Sequence, residues 1–184
     1  AQDDENENYV AVYALSDLPL RGLRRMWIDG VEVTLGQPPA GRTSSYGYNR
    51  IPELDEGGPN TNTEPRGWYK FYDGTHTAAD SLLVDRVSSP GRSWGSDAVG
   101  VGIAYVVLVY DFDPDVYSGI PVVLFEVDGI ELTPPAGTPA GAYLDKLPAA
   151  QIYNILRGIE YNGQWLYGPQ VPPILDDAHW AKAI

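Results

Sequence analysis

Three aspartates spaced two residues apart could begin a calcium-binding loop in this 184-residue chain. They are Asp111, Asp113 and Asp115. A calcium loop of the EF-hand type needs glycine at its sixth position and glutamate at its twelfth. Those positions hold Val116 and Val122. The run therefore favours a turn between two strands, with solvated carboxylates, over a metal site.

Two pairs of closely spaced carboxylates could serve in sugar hydrolysis. They are Glu126 with Asp128, and Glu53 with Asp55. That reaction needs two carboxyl groups about 5–9 Å apart across a cleft, which spacing in sequence does not establish. Alternate residues of a strand share one face, often the solvated one, so we expect ordinary surface carboxylates at these positions.

The chain has two histidines, His76 and His179, and no cysteine. The absence of cysteine excludes disulfides, thiol nucleophiles and zinc–thiolate sites. Neither histidine accompanies a G-x-S-x-G nucleophile motif, and two distant histidines do not make a histidine-rich metal site. We therefore predict no catalytic residue, no metal ligand and no cofactor, and a chain that is not an enzyme.

Aromatic residues and a small basic cluster are better candidates for a functional surface. Aromatic side chains bury large areas, so aromatic-rich strands usually belong to a core or a subunit interface. A carbohydrate-binding face is the alternative interpretation. Three arginines form a basic cluster that could pair with carboxylates of a neighbouring protein. The alternative interpretation is that they form an ordinary solvent-exposed face. The predicted interface candidates are Arg21, Arg24, Arg25, Trp27, Trp68, Tyr69 and Trp94.

The elements that must position these residues are mostly strands. Asp29-Gly30 between two apolar runs is a strong signal for a hairpin. The uncharged run 101–110 is typical of a strand buried on both faces. Strands are predicted at residues 9–15, 23–28, 31–35, 67–72, 101–110 and 121–127. This pattern predicts an α+β, mainly β fold.

Short helices and long loops complete the predicted fold. A first helix is expected at residues 78–87, capped by Thr77. A second is expected at residues 149–157, with Pro148 in its first turn and Gly158 after its end. Asp176 or Asp177 would cap a third. The fold class is thus a β-rich domain with a long loop insertion and two or three short helices.

Composition shifts suggest how the chain is divided. We expect an acidic leader at 1–8, a β-rich domain at 9–132, a Pro/Gly linker at 133–146 and a helical segment at 147–184 that continues into a further C-terminal part. A polar loop insertion at 36–66 interrupts the domain. The net charge of −13 argues against nucleic acid as a partner, and no apolar run reaches the length of a membrane span.

Four segments together resemble a known family, and they occur in the same order. They read YVAVYALSDLPLRGLRRMWIDG, WYKFYDGTHTAADSLLVD, GVGIAYVVLVYDFDPDVYSGIPVVLFEVDG and LPAAQIYNILRGIEYNGQWLYG followed by LDDAHWAKAI. This order is similar to that in the central tail-tip hub proteins of long-tailed bacteriophages, the host-specificity (tip attachment) family. The most specific part is the segment at residues 113–129.

The resemblance implies a structural role in the virion. It implies a homotrimeric hub at the tail tip, made in the host cytoplasm, that joins the tail tube and other tip proteins to the receptor-binding apparatus. A host-surface receptor or glycan is an implied further partner. Two alternatives remain at this stage: a carbohydrate-binding module that uses Trp68, Trp94 or residues 36–66, and a cell-wall hydrolase that uses carboxylates such as Glu126.

Overall fold

The structure, a computed structural model, describes residues 8–55, 65–87, 94–111, 120–130, 132–139, 146–161, 164–168 and 175–184. The chain divides into two compact units, residues 1–130 and 131–184. The predicted leader up to residue 7, together with Asp113 and Asp115, lies outside the described residues. None of the described helices has the length and apolar character needed to cross a membrane.

The larger sheet of the first unit has four antiparallel strands. They are β1 (Asn8–Ser16), β4 (Asn49–Arg50), β5 (Gly67–Tyr72) and β6 (Ala104–Asp111). Their order across the sheet is β1-β6-β5-β4. Every residue of β6 before Asp111 is buried. The prediction of a strand buried on both faces is therefore confirmed for residues 104–110, because a solvent-facing side would carry polar residues. The predicted start at residue 101 was wrong, since Val101 and Ile103 precede the strand and are exposed.

The smaller sheet has three antiparallel strands. They are β2 (Gly22–Ile28), β3 (Val31–Val33) and β7 (Val123–Asp128). The order is β3-β2-β7, with Met26 opposite Phe125. Asp29 and Gly30 both have positive φ, 49° and 82°, as a type I′ hairpin turn requires. The predicted hairpin is thus confirmed, and β7 joins it from about 100 residues further along the chain.

Two hydrophobic cores hold the first unit together, one on each face of the larger sheet. The first lies between the two sheets and contains Met26, Ile28, Val33, Ile51, Tyr69, Val106, Leu108 and Tyr110. The second lies on the opposite face, under the helix α1 (Ser81–Arg86), and contains Tyr48, Trp68, Leu82, Leu83, Tyr105, Val107 and Val109. Alternate residues of β5 and β6 enter alternate cores, as strand geometry requires. The mainly β, α+β fold class is confirmed.

Helix α1 begins later than predicted, and Asp80 caps it. The Asp80 side chain accepts a hydrogen bond from the backbone N–H of Leu83 at 2.8 Å. The expectation that Thr77 would cap a helix from residue 78 was wrong. A carboxylate satisfies the free N–H groups of a helix start better than a threonine hydroxyl does.

The predicted loop insertion at 36–66 contributes to the fold over its described part, residues 36–55 and 65–66. It supplies β4 and two short 3₁₀ helices, Gly41–Tyr46 and Pro52–Leu54. Tyr48 and Ile51 are fully buried. The Arg50 guanidinium bonds the buried Asp55 carboxylate, with Nε 2.7 Å from Oδ2, and so ties the segment down. The sequence did not predict this packing, because isolated apolar residues in a polar segment have neither helix nor strand periodicity.

Gly30 should be the most sensitive position of the hairpin turn. Gly30→Ala is expected to lower the free energy of unfolding by about 1 kcal/mol, because an L-residue with a Cβ is strained at φ 82°. Gly22→Ala is the matched control on the same hairpin, since a Cβ there meets nothing within 4 Å. Urea denaturation of both variants makes the comparison. Equal stability of the two variants would contradict the turn assignment.

The second unit contains the helices α2 (Pro148–Arg157) and α3 (Asp177–Ala181), with a hairpin of β8 (Ile159–Tyr161) and β9 (Gln164–Tyr167). Pro148 and Gly158 bound α2 as predicted, and Asp176 caps α3. Asn154 fixes the start of the predicted linker: its side chain accepts from Thr133 N at 2.8 Å and donates to Thr133 O at 2.9 Å. Residue 133 is therefore packed against α2.

Candidate assembly interface

The smaller sheet has one face against the core and one face without a covering layer among the described residues of the first unit. Met26 and Ile28 of β2 point into the core, so Arg25 and Trp27 lie on the other side. In β7 the same alternation places Leu124, opposite Trp27, on that side. We call this surface the outer face and define it by Arg25, Trp27, Glu32, Val122, Leu124 and Glu126.

Apolar side chains on the outer face are largely exposed to solvent. Val122 is 65% exposed and Leu124 is 58% exposed, next to a partly exposed Trp27. Grouped apolar residues with a polar border mark interaction surfaces more often than scattered ones do. The outer face therefore has the composition of a protein contact with an apolar centre.

Charged residues frame this apolar centre in matched pairs. The Arg25 Nε donates to Glu126 Oε2 at 2.7 Å, and its guanidinium lies 5.1 Å from the centre of the Trp27 ring. Arg24 contacts Asp128, with Nη2 2.8 Å from Oδ1. Such exposed pairs contribute only about 0–1 kcal/mol each to stability. They therefore add little to the stability of the fold, and of the two arginines only Arg25 has a recorded contact with the Trp27 ring.

Asp29 ties the outer face together at the hairpin turn. Its backbone N–H donates to Val122 O at 2.9 Å, and its carboxylate accepts from Val122 N at 2.8 Å. The two bonds extend the β2–β7 pairing by one residue and hold Val122 beside the turn. The aspartate of the Asp29-Gly30 pair thus does two things: it tolerates positive φ, and it anchors the neighbouring chain segment.

Comparisons of the chain with protein-family models, with curated proteins and with solved structures find no match.

The structure brings together four of the seven interface candidates. Arg24, Arg25 and Trp27 lie on β2, and the exposed Arg21 precedes the strand. No ion pair of Arg21 occurs among the described residues, whereas Arg24 and Arg25 bond carboxylates of β7. The predicted basic cluster is therefore largely neutralised within the chain. Within the three-arginine cluster, Arg21 is the member without an ion pair to a described residue.

The three other candidates do not lie on this surface. Trp68 is 0% and Tyr69 is 4% exposed, each in a different core, so both must be removed from the interface set. The reason is that β5 lies inside a layered structure and buries large residues on both faces. Trp94 is partly buried against the second core, with its Nε1 donating to Ala98 O at 3.1 Å. The burial of Trp68 also removes one of the two tryptophans considered for a carbohydrate-binding face.

Leu124 and Val122 are residues of the outer face that the sequence did not mark as interface candidates. The run PVVLFEV is apolar at nearly every position, so alternation does not distinguish its two faces. Only the pairing with β2 shows which residues point outward.

The carboxylates considered for catalysis have structural partners. Glu53 accepts from Thr34 Oγ1 at 2.6 Å, and Asp55 bonds Arg50. Glu126 is held by Arg25 on the outer face. Within the described ranges no group of three or more potential ligands could hold a metal ion, and Asp111 is the only member of the aspartate run they include.

A buried polar cluster lies on the opposite side of the larger sheet, around Asp80. Its carboxylate is fully buried, accepts from the Tyr72 hydroxyl at 2.6 Å and lies 3.7 Å from Lys70 Nζ. The Tyr72 and Tyr105 rings stack with centroids 4.6 Å apart, and the His76 ring lies beside both. His76 Nε2 contacts Val99 O. These contacts are those of a packed core network.

Burial makes the phenols of this cluster hard to ionise. Burial, followed by the negative charge of Asp80, raises the pKa of Tyr105 to about 12. Burial and the hydrogen bond to Asp80 raise the pKa of Tyr72 further, and burial with the Asp80 charge also raises that of Tyr48. The neutral phenols therefore bind their protons more tightly in the folded chain than in the unfolded one.

The free energy of unfolding should decrease at alkaline pH, because these buried phenols must ionise as the pH rises. An unfolded tyrosine has a pKa near 10, so the contribution of Tyr105 is complete below about pH 10 and is lost as the pH rises towards 12. We expect the tyrosinate absorbance of Tyr105 to develop together with loss of structure. Tyr105→Phe should weaken this pH dependence, and its cost at pH 7 should be small, because no described group bonds the hydroxyl.

Tyr72→Phe is the matched comparison for Tyr105→Phe. It removes a buried hydrogen bond to a carboxylate and should cost about 1.5–3 kcal/mol at pH 7. Urea denaturation at pH 7 and at pH 10.5 separates the two variants. A Tyr105→Phe protein that keeps the full alkaline loss of stability would contradict the assignment.

Proposed function

We propose that the chain is a structural module of a bacteriophage tail tip, a hub-domain fragment that links the tail tube to the receptor-binding apparatus. The observation that carries the proposal is the pairing of β2 with β7. The WIDG hairpin and the FEVDG strand are two of the segments with the hub-family resemblance, and they form one sheet.

The chemistry of this sheet favours assembly over catalysis. Its outer face combines exposed Val122 and Leu124 with Trp27 and two sets of ion pairs, which is the composition of a subunit contact. A hydrolase would need free carboxylates across a cleft, whereas Glu126 and Asp128 are bonded by arginines of the neighbouring strand. The proposed role is therefore non-enzymatic, in a homotrimer in contact with other tail-tip and tail-tube proteins.

Immunogold electron microscopy tests this proposal. Antibodies raised against the purified chain would be applied to tailed particles produced from the genome that encodes it. The proposal predicts gold at the distal end of the tail, with labelling abolished when the antibody is first saturated with the chain. Purified particles that contain no peptide of the chain by mass spectrometry would contradict the proposal.

A further inference from the structure

Three aspartates of this chain are followed directly by glycine, at Asp29-Gly30, Asp73-Gly74 and Asp128-Gly129. In this dipeptide the glycine backbone nitrogen can attack the side-chain carboxyl carbon of the aspartate, because glycine has no Cβ to hinder the approach. Water leaves and a cyclic succinimide forms. Water then reopens the ring at one of its two carbonyls, which gives either aspartate again or isoaspartate, whose main chain runs through the former side-chain carbon. The structure distinguishes the three sites by what holds each carboxylate.

Main-chain bonds hold Asp29 at the hairpin turn. Its carboxylate accepts from Val122 N at 2.8 Å, and its own N–H donates to Val122 O at 2.9 Å. Both partners are backbone atoms of the neighbouring segment, so they are fixed in place by the β2–β7 pairing. The carboxyl group must give up this bond before the Gly30 nitrogen can attack it. The fold therefore opposes ring closure at Asp29.

Asp73 is held at least as firmly by the residue two positions further on. Its Oδ1 accepts from both the N–H and the hydroxyl of Thr75, each at 2.8 Å. The bond from the Thr75 backbone lowers the pKa of Asp73, and an ionised carboxylate releases an oxygen less readily than a neutral acid does. Gly74 is also confined, since it is buried and a Cβ there would lie 3.1 Å from Pro19 Cα. Ring closure is therefore opposed here too.

Asp128 is held by a side chain instead. Its Oδ1 lies 2.8 Å from Nη2 of Arg24, and neither side chain is buried. Such a pair must keep a long, flexible side chain in one geometry, so it is weak and opens readily. Gly129 follows the last residue of β7, is exposed, and has open space around it, because a Cβ there would meet nothing within 4 Å. We propose that Asp128 is the site at which the folded chain converts aspartate to isoaspartate as it ages.

Conversion would alter the end of β7. Isoaspartate lengthens the main chain by one carbon, about 1.5 Å, and leaves the free carboxylate on Cα. Asp128 pairs with Gly22, and its carbonyl accepts from Arg21 N at 3.0 Å, so the longer main chain cannot keep both contacts at their present spacing. The free energy of unfolding of the converted fraction should therefore be lower. This chemistry is independent of the proposed function, since it takes place within a single chain.

Peptide mapping of the aged protein is the test. The full chain is kept at mildly acidic pH and physiological temperature for several weeks, folded in buffer and, in parallel, unfolded in guanidinium chloride. Electron-transfer fragmentation distinguishes isoaspartate from aspartate in each peptide. Asn162-Gly163 can also yield isoaspartate, but only with the mass change of deamidation, so its peptide is counted separately.

Unfolding removes the restraints, so the three Asp-Gly sites should react at comparable rates in guanidinium chloride. In the folded chain, Asp128 should form isoaspartate at least about tenfold faster than Asp29 and Asp73, whose carboxylates accept hydrogen bonds from the backbone. A folded chain in which Asp29 or Asp73 reacts as fast as Asp128 overturns the proposal. So does a folded chain in which Asp128 stays unconverted while the unfolded chain reacts.

Two adjacent arginines provide matched variants. Arg24→Ala removes the partner of Asp128, whereas Arg25→Ala removes a partner of Glu126 alone. Arg24→Ala should speed isoaspartate formation at Asp128, and Arg25→Ala should leave it unchanged, with circular dichroism to confirm that both variants are folded. An Arg24→Ala protein that reacts no faster than Arg25→Ala would show that the ion pair does not protect Asp128 and would also overturn the proposal.

Discussion

Replacing Asp80 with alanine is expected to lower the free energy of unfolding by about 3 kcal/mol or more. The change removes the cap of α1, the acceptor of the Tyr72 hydroxyl and the carboxylate beside Lys70. Loss of a helix cap alone costs about 0.5–2 kcal/mol, and a buried donor left without an acceptor adds a further penalty. Domains are stable by only about 5–15 kcal/mol, so the variant should unfold at much lower urea concentration.

Asp80→Asn is the control that separates the contribution of the side chain's shape and hydrogen bonding from that of its negative charge. The amide oxygen can still accept from the Leu83 N–H, but the negative charge beside Lys70 is gone. We expect it to cost about half as much as the alanine substitution, measured by urea denaturation at pH 7. Alanine and asparagine variants as stable as the unaltered chain would show that the Asp80 network does not hold the second core.

Trp68→Ala should have an effect of similar or greater size, about 3–5 kcal/mol, because it leaves a large cavity in the second core. Trp68 is fully buried, and its Nε1 donates to Ala40 O at 2.7 Å. The bond joins the core to the segment before the 3₁₀ helix Gly41–Tyr46. Loss of the ring should therefore also loosen residues 36–55, which hydrogen exchange measures directly.

Trp27→Ala is the matched control for Trp68→Ala. Trp27 lies partly exposed on the outer face, where no cavity is created, so its removal should cost at least 2 kcal/mol less than that of Trp68. Denaturation of the two variants under identical conditions decides the point. If Trp27→Ala is the more destabilising change, then Trp27 belongs to a core and the outer face is not a free surface.

Local signals in the sequence were enough to predict several elements. The uncharged run 101–110 predicted a doubly buried strand, which residues 104–110 form, because a strand covered on both faces favours apolar side chains at every position. Asp29-Gly30 predicted a two-residue hairpin because few other residues accept two successive positive φ values. Pro148 and Gly158 predicted the ends of α2 for similar backbone reasons.

Features that depend on distant pairing were not predictable. The partner of β2 is β7, about 100 residues away, and no local pattern indicates that pairing. Trp68 and Tyr69 are buried because β5 lies between the two cores. The local sequence GWYKFY does not indicate that position. The role of Asp80 was not predicted because it depends on Tyr72 and Lys70 of β5 lying beside the start of α1.

The layered arrangement explains why the candidate interface is on the smaller sheet. The larger sheet is covered on one face by the smaller sheet and on the other by α1 and residues 41–48. Among the described residues of the first unit, the smaller sheet has a core on one face alone, so its outer residues are not needed for packing within that unit. Exposed apolar residues there, such as Leu124 and Val122, make this face the candidate contact surface.

The most direct test of a structural role at a tail tip is an electron cryo-microscopy reconstruction of the particle produced from the encoding genome. We expect the two sheets of the first unit to fit density at the distal end of the tail, with threefold symmetry. We also expect Trp27 and Leu124 to lie buried against another subunit. A particle whose tail tip has no density for this fold, or in which the outer face is open to solvent, would contradict this role.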